Sequence, residues 1–190
     1  MTRRTSFGMP ALAIVALLLI LLAVSPASAQ GKSKADIGVS WALLYESDLT
    51  LPVGWVAAFA GHITNGLSIV GEVGGNYKSV NVSGVSVDVS EHSFLGGVRF
   101  GSGGNAKVRP FVQALVGYSR IAGGGSVSGF NVGVSVNALT FQPGGGVDVQ
   151  VSPKVAVRMQ ADYRLLTQAD LGTGWQVRLA AGVVFALGGR

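Results

Sequence analysis

From Asp36 onward the chain alternates apolar and polar residues in runs of about 10 to 12, separated by turn chemistry. The clearest run is Val155–Arg164. Arg158, Gln160, Asp162 and Arg164 share one parity, and Val155, Val157, Met159, Ala161 and Tyr163 share the other. Successive side chains on a strand point to opposite faces, so this segment predicts a strand with one charged face and one apolar face. On a helix the four polar residues would scatter around the axis.

Seven further segments show the same alternation. Asp36–Glu46 sets Ile37, Val39, Trp41, Leu43 and Tyr45 on one face. Leu51–His62 sets Val53, Trp55, Ala57, Phe59 and Gly61 outward. Leu67–Lys78 places Ser68, Glu72, Gly74 and Asn76 on its polar face. Glu91–Gly101 opposes Phe94, Val98 and Phe100 to Ser93, Gly97 and Arg99. Val108–Ser119 opposes Val112, Ala114, Val116 and Tyr118 to Arg109, Gln113, Gly117 and Ser119. Leu139–Val151 opposes Phe141, Val147, Val149 and Val151 to Gln142, Gly144, Gly146, Asp148 and Gln150. Gly174–Leu187 opposes Trp175, Val177, Leu179, Val183 and Phe185 to Gln176, Arg178 and Gly182.

The connections alternate in length, except that Ser47–Thr50 after the first segment is also short. Thr64-Asn-Gly66, Ser102-Gly-Gly-Asn105 and Ser152-Pro-Lys154 are short turns, whereas Ser79–Ser90, Arg120–Ala138 and Leu165–Thr173 are longer. Within the long ones, Val80–Val89 and Val127–Val136 alternate again, so they read either as coil or as continued hairpins. Short turns at one end and long loops at the other mark an up-and-down transmembrane barrel.

The start of the chain changes the picture. Arg3 and Arg4, the apolar run Ala11–Val24 and the small-residue site Ser25-Pro-Ala-Ser-Ala29 form a secretory signal peptide, residues 1–29. Cleavage there starts a single domain, residues 30–190, at Gln30. Losing Arg3 and Arg4 lowers the formal net charge from +5 to +3. No basic cluster supports a nucleic-acid role. Cysteine is absent, so an exported chain of this kind depends on backbone pairing, a core or lipid rather than disulfides.

The aromatic residues and glycines then assign the faces. Trp41, Tyr45, Trp55, Phe59, Tyr77, Phe94, Phe100, Tyr118, Phe141, Tyr163, Trp175 and Phe185 all fall on the apolar parity, several near strand ends, where girdles at a lipid interface belong. Gly38, Gly54, Gly74, Gly97, Gly117, Gly144, Gly146 and Gly182 fall on the polar parity, where small residues suit the crowded inside of a narrow barrel. The expected fold is an all-β, eight-stranded antiparallel up-and-down transmembrane β-barrel. Its inward polar set is Glu72, Arg99, Arg109, Gln113, Asp148, Arg158, Gln160, Asp162, Arg164 and Arg178. These side chains are expected to pair as a network, because an unpaired charge there is costly. One Arg facing lipid at the midplane would cost roughly 2–4 kcal/mol.

Arg109-Pro-Phe-Val-Gln-Ala-Leu-Val-Gly-Tyr118 and Pro143-Gly-Gly-Gly-Val-Asp-Val-Gln-Val-Ser-Pro153, followed by the charged stripe, resemble strands of a known group. They are similar to the small outer-membrane β-barrel domains of Gram-negative bacteria, the OmpA-like, opacity and porin-like family. The resemblance covers Asp36–Leu187. It implies an outer-membrane location, contact with membrane lipid and lipopolysaccharide, and delivery by barrel-insertion machinery. Such barrels usually end on an aromatic residue; here the last one, Phe185, lies five residues before the end.

Candidate chemistry is sparse, and no cofactor, metal or catalytic set is expected. His62 and His92 fall at opposite ends of the predicted barrel, too far apart for one metal site. Glu91-His92-Ser93 imitates part of a hydrolase, but neighbours on a strand face opposite ways. Gly31-Lys-Ser33 imitates the end of a phosphate loop without the glycine and helix such a loop needs. The expected function is a non-enzymatic envelope or surface-interaction barrel without an open pore. A lipid-modifying enzyme, a small porin and a lipocalin-like carrier are the alternatives.

Overall fold

The computed structural model describes residues 34–46, 49–82, 85–102, 106–127, 130–168 and 172–188. The signal peptide, Gly31-Lys-Ser33 and most of the Ser102–Asn105 turn lie outside the described residues. The strands are β1 (Ala35–Glu46), β2 (Leu49–Leu51), β3 (Val53–His62), β4 (Leu67–Val82), β5 (Val85–Gly101), β6 (Val108–Val127), β7 (Phe130–Ser152), β8 (Val155–Gln168) and β9 (Gly172–Leu187). Each pairs antiparallel with its neighbours, and β9 returns to β1 from Ala35↔Leu187 to Tyr45↔Val177. The sheet is therefore closed. Because β2 and β3 together form one wall segment beside β1, the barrel has eight strands.

Pro52 is what separates β2 from β3. The β1–β3 register runs to Trp41↔Trp55, whereas Leu51 pairs with Leu44, so one extra residue stands on the β2–β3 side between the two registers. Proline has no N–H for the ladder and is tolerated at such a bulge. The bulge reverses the alternation. Simple parity through Leu51–His62 would turn Leu51 outward, but it is buried at 2 % exposure.

The Thr64-Asn-Gly66 turn matches expectation. Thr64 Oγ1 accepts the Gly66 and Leu67 amides at 3.3 and 3.1 Å, fixing the turn between β3 and β4. The opposite end is mostly ladder rather than coil. Pairing runs on to Val82↔Val85 in one hairpin and Val127↔Phe130 in the next. Strand β6 has 20 residues. At about 3.4 Å per residue and a tilt near 40°, it rises about 50 Å, roughly twice the height of an apolar band. Half of the β6–β7 hairpin therefore projects beyond the band.

The outer face shows where that band stops. The twelve aromatic residues assigned to the apolar parity are all exposed, from Trp41 to Phe185. Beyond Tyr77 and Tyr118 the outward positions become polar and bond across strands: Ser79 Oγ donates to Asp88 at 2.5 Å, and Arg120 Nη2 donates to Ser135 Oγ at 3.3 Å. Inside, glycines let adjacent strands and long side chains share a narrow space. A Cβ added at Gly97 would lie 2.9 Å from Leu115 Cα, and one at Gly117 would lie 2.9 Å from Leu95 Cα. Outward Gly71, by contrast, has open space where its Cβ would be. Only small apolar clusters, such as Ala60, Val70, Leu95 and Leu115, interrupt the polar interior.

Candidate functional site: the polar interior

Inward positions of β4 to β9 bring carboxylates, amides and guanidiniums into one connected set. At its centre Arg178 on β9 donates Nη2 to Glu72 Oε1 on β4 at 2.7 Å and to Asp162 Oδ2 on β8 at 2.8 Å. Asp162 also accepts from Gln113 Nε2 at 3.2 Å and Gln160 Nε2 at 2.8 Å. Gln142 Nε2 donates to Glu72 Oε1 at 3.1 Å. Arg178 is 1 % exposed, so this is a fully dehydrated knot of charge. Such a knot is tolerable only when every member has partners.

Toward the long hairpins, Arg164 engages all three of its nitrogens. It donates to Glu91 Oε1 at 2.5 Å, Gln176 Oε1 at 2.8 Å, Ser119 Oγ at 3.0 Å and Gln142 Oε1 at 3.0 Å. Gln176 Nε2 completes the ring by donating to Glu91 Oε2 at 2.9 Å. Toward the short turns, Arg158 grips Asp148 with two parallel bonds of 2.7 and 2.9 Å. Arg99 donates Nε and Nη2 to Gln113 Oε1 at 3.1 and 2.8 Å. The Arg99 and Arg158 guanidiniums also lie 4.6 and 4.9 Å from the centre of the Phe111 ring, whose electron-rich faces attract cations.

Nine of the ten residues in the expected inward set are buried: Glu72, Arg99, Gln113, Asp148, Arg158, Gln160, Asp162, Arg164 and Arg178. Arg109 departs from expectation. It is half-buried, and its Nε has no partner among the described residues. Its ladder partner is Asp148, but both oxygens of that carboxylate are engaged by Arg158.

Sequence parity leaves out several members. Asp36 and Glu91 read only as strand beginnings, yet both are buried carboxylates of the interior. Phe111 is an aromatic on the polar parity and is buried, while the twelve aromatics on the apolar parity are exposed. Its parity with Gln113 is the available signal.

The two histidines lie apart, as expected. His92 turns outward, where Tyr77 OH meets its Nε2 at 3.1 Å, while Ser93 is buried on the other face. His62 sits at the short-turn rim with Asp36 and Ser68. Among the described residues no group of three His or acidic side chains is placed to hold a metal ion.

No family model matches this chain, and no curated protein matches it. Solved structures do share its fold. The crystal structure of Ail, the attachment invasion locus protein of Yersinia pestis, is similar at 18 % identity and a TM-score of 0.56, covering 83 % of this chain and 100 % of that one. Neisserial surface protein A is similar at 13 % identity and a TM-score of 0.55, covering 80 % and 96 %. A major outer membrane protein from Thermus thermophilus is similar at 13 % identity and a TM-score of 0.54, covering 80 % and 98 %. These neighbours are small outer-membrane barrels, the group the strand motifs resemble.

Proposed function

We propose that this chain is an integral outer-membrane barrel, closed to solutes by its own side chains, that stiffens the envelope and presents two long hairpins for contact. One observation carries the reading: guanidiniums and carboxylates are sealed inside while tryptophans, tyrosines and phenylalanines lie exposed outside. A protein in water has the reverse arrangement. Outer-membrane lipid, with lipopolysaccharide in the outer leaflet, is the solvent that suits the exposed band, and barrel-insertion machinery is the partner that delivers it.

The interior supports a closed barrel. Arg164, Arg178, Gln142 and Gln176 fill the middle and share their donors among facing strands. The contact role rests on the hairpins, which continue as ordered ladder to Val82↔Val85 and Val127↔Phe130. That Ail and Neisserial surface protein A carry attachment or surface descriptions is in keeping with it.

The test is location and folding together. In outer-membrane fractions the unheated protein is expected to migrate faster on a gel than the boiled protein, and to resist extraction by high salt. Release by salt alone refutes the membrane reading.

A further inference from the structure

At the short-turn end, three side chains from different strands form a hydrogen-bonded line. Asp36 is the second residue of β1, His62 the last of β3 and Ser68 the second of β4. His62 and Ser68 are direct ladder partners across the turn, so the hairpin itself holds them together. His62 Nδ1 lies 2.7 Å from Ser68 Oγ, and His62 Nε2 lies 3.2 Å from Asp36 Oδ2.

The proton positions follow from the partners. A carboxylate only accepts, so Nε2 carries the hydrogen of the neutral ring. Nδ1 then presents its lone pair to the Ser68 hydroxyl, which donates to it. A serine hydrogen-bonded to a neutral histidine that is oriented by a carboxylate is the arrangement that activates a serine nucleophile. Here the ring is turned the other way from the serine-protease arrangement, with Nδ1 rather than Nε2 facing the hydroxyl. The base is whichever nitrogen holds the free pair.

Arg99 is the ladder partner of Ser68 on β5, and both face inward. It is 5 % exposed, its Nη1 has no partner among the described residues, and it forms no ion pair there. Facing partners in a ladder stand about 4.5–5.5 Å apart at Cβ. Arg99 thus adds positive charge on the strand next to Ser68, while Gln113 on β6 holds its Nε and Nη2.

We propose that Ser68 is a nucleophile toward small acyl esters, with His62 as base and Asp36 as the positioning residue. Ser68 Oγ bonds to the acyl carbon as its proton moves to His62 Nδ1. The carbon–oxygen bond to the alcohol breaks, and the alcohol leaves with that proton. Water then adds to the acyl carbon, giving its proton to Nδ1, and the carboxylic acid leaves as Ser68 recovers a proton. Ester and water become acid and alcohol. The size limit comes from burial: Ser68 is 6 % exposed, while the His62 side chain is 33 % exposed at the rim. A short acyl group entering end-on from the aqueous side fits this approach; a two-chain phospholipid does not.

The experiment uses the full mature protein, purified folded in detergent, with folding checked by gel migration. A small fluorophosphonate probe is added and the adduct mapped by peptide mass, alongside hydrolysis of p-nitrophenyl acetate. The expected adduct is on Ser68. It is lost in S68A, and labelling and hydrolysis fall roughly 10²-fold in H62Q. D36N, which removes the charge facing the imidazolium, is expected to lower both rates at every pH where the ring is neutral. Folded wild-type protein with no adduct on Ser68 overturns the proposal, even if S68A does not fold. Equal labelling rates in wild type and H62Q overturn it as well.

Discussion

Replacing Arg178 with methionine separates the two possible senses of the barrel by sign. Methionine keeps most of the length and removes the charge. With Arg178 inside, the change strips Glu72 and Asp162 of the cation they share at 2.7 and 2.8 Å. Removing one member of a buried ion pair costs about 3–5 kcal/mol. Glu72 keeps the Gln142 donor, and Asp162 keeps those of Gln113 and Gln160, which places the expected loss near the lower figure. With a urea slope of about 2 kcal/mol/M, the unfolding midpoint in lipid vesicles falls by about 1.5 M. With Arg178 facing lipid, the same substitution would stabilise the barrel by roughly 2–4 kcal/mol. The assay is urea titration followed by gel migration and tryptophan emission. A midpoint that stays or rises refutes the interior network. The triple variant E72Q/D162N/R178M leaves neither carboxylate charged and is expected to recover most of the loss.

Three shorter tests probe other parts of the wall. Gly97→Leu forces a side chain toward the Leu115 backbone and is expected to cost about 1–3 kcal/mol, whereas Gly71→Ala enters open space and is expected to leave the urea midpoint unchanged. Trp41, Trp55 and Trp175 are all outward and exposed, so brominated lipids are expected to quench their emission and aqueous iodide to leave most of it. Planar-bilayer recordings are expected to show no steady conductance; large, long-lived steps would refute the closed interior.

Much of this fold was readable because a strand has a period of two. Arg158, Asp162 and Arg178 could be placed on one face from the alternation alone, and the structure puts all three inside. What parity could not supply is anything that depends on register between distant segments. Leu51 fell on the wrong side because Pro52 inserts a residue, and only the β1 pairing reveals the bulge. Asp36 gave no hint that it meets His62, since their contact needs the β1–β3 register. His62 and Ser68 were nearer to hand: a turn through Thr64-Asn-Gly66 makes them partners. At the hairpin ends the alternation left coil and continued hairpin both open, because Gly- and Ser-rich sequence suits either, and the ladder bonds decide for the hairpin.

The bonds of the interior also impose an order in time. Glu72 and Glu91 are carried by β4 and β5, but the arginines that meet them come from β9 and β8, 106 and 73 residues later. A half-delivered barrel therefore holds both carboxylates without the arginines they pair with. Entering a bilayer strand by strand would drag them into hydrocarbon unaccompanied. A chain that curls up on itself before or while it crosses avoids this, because the last two strands then bring the arginines that neutralise the earlier ones.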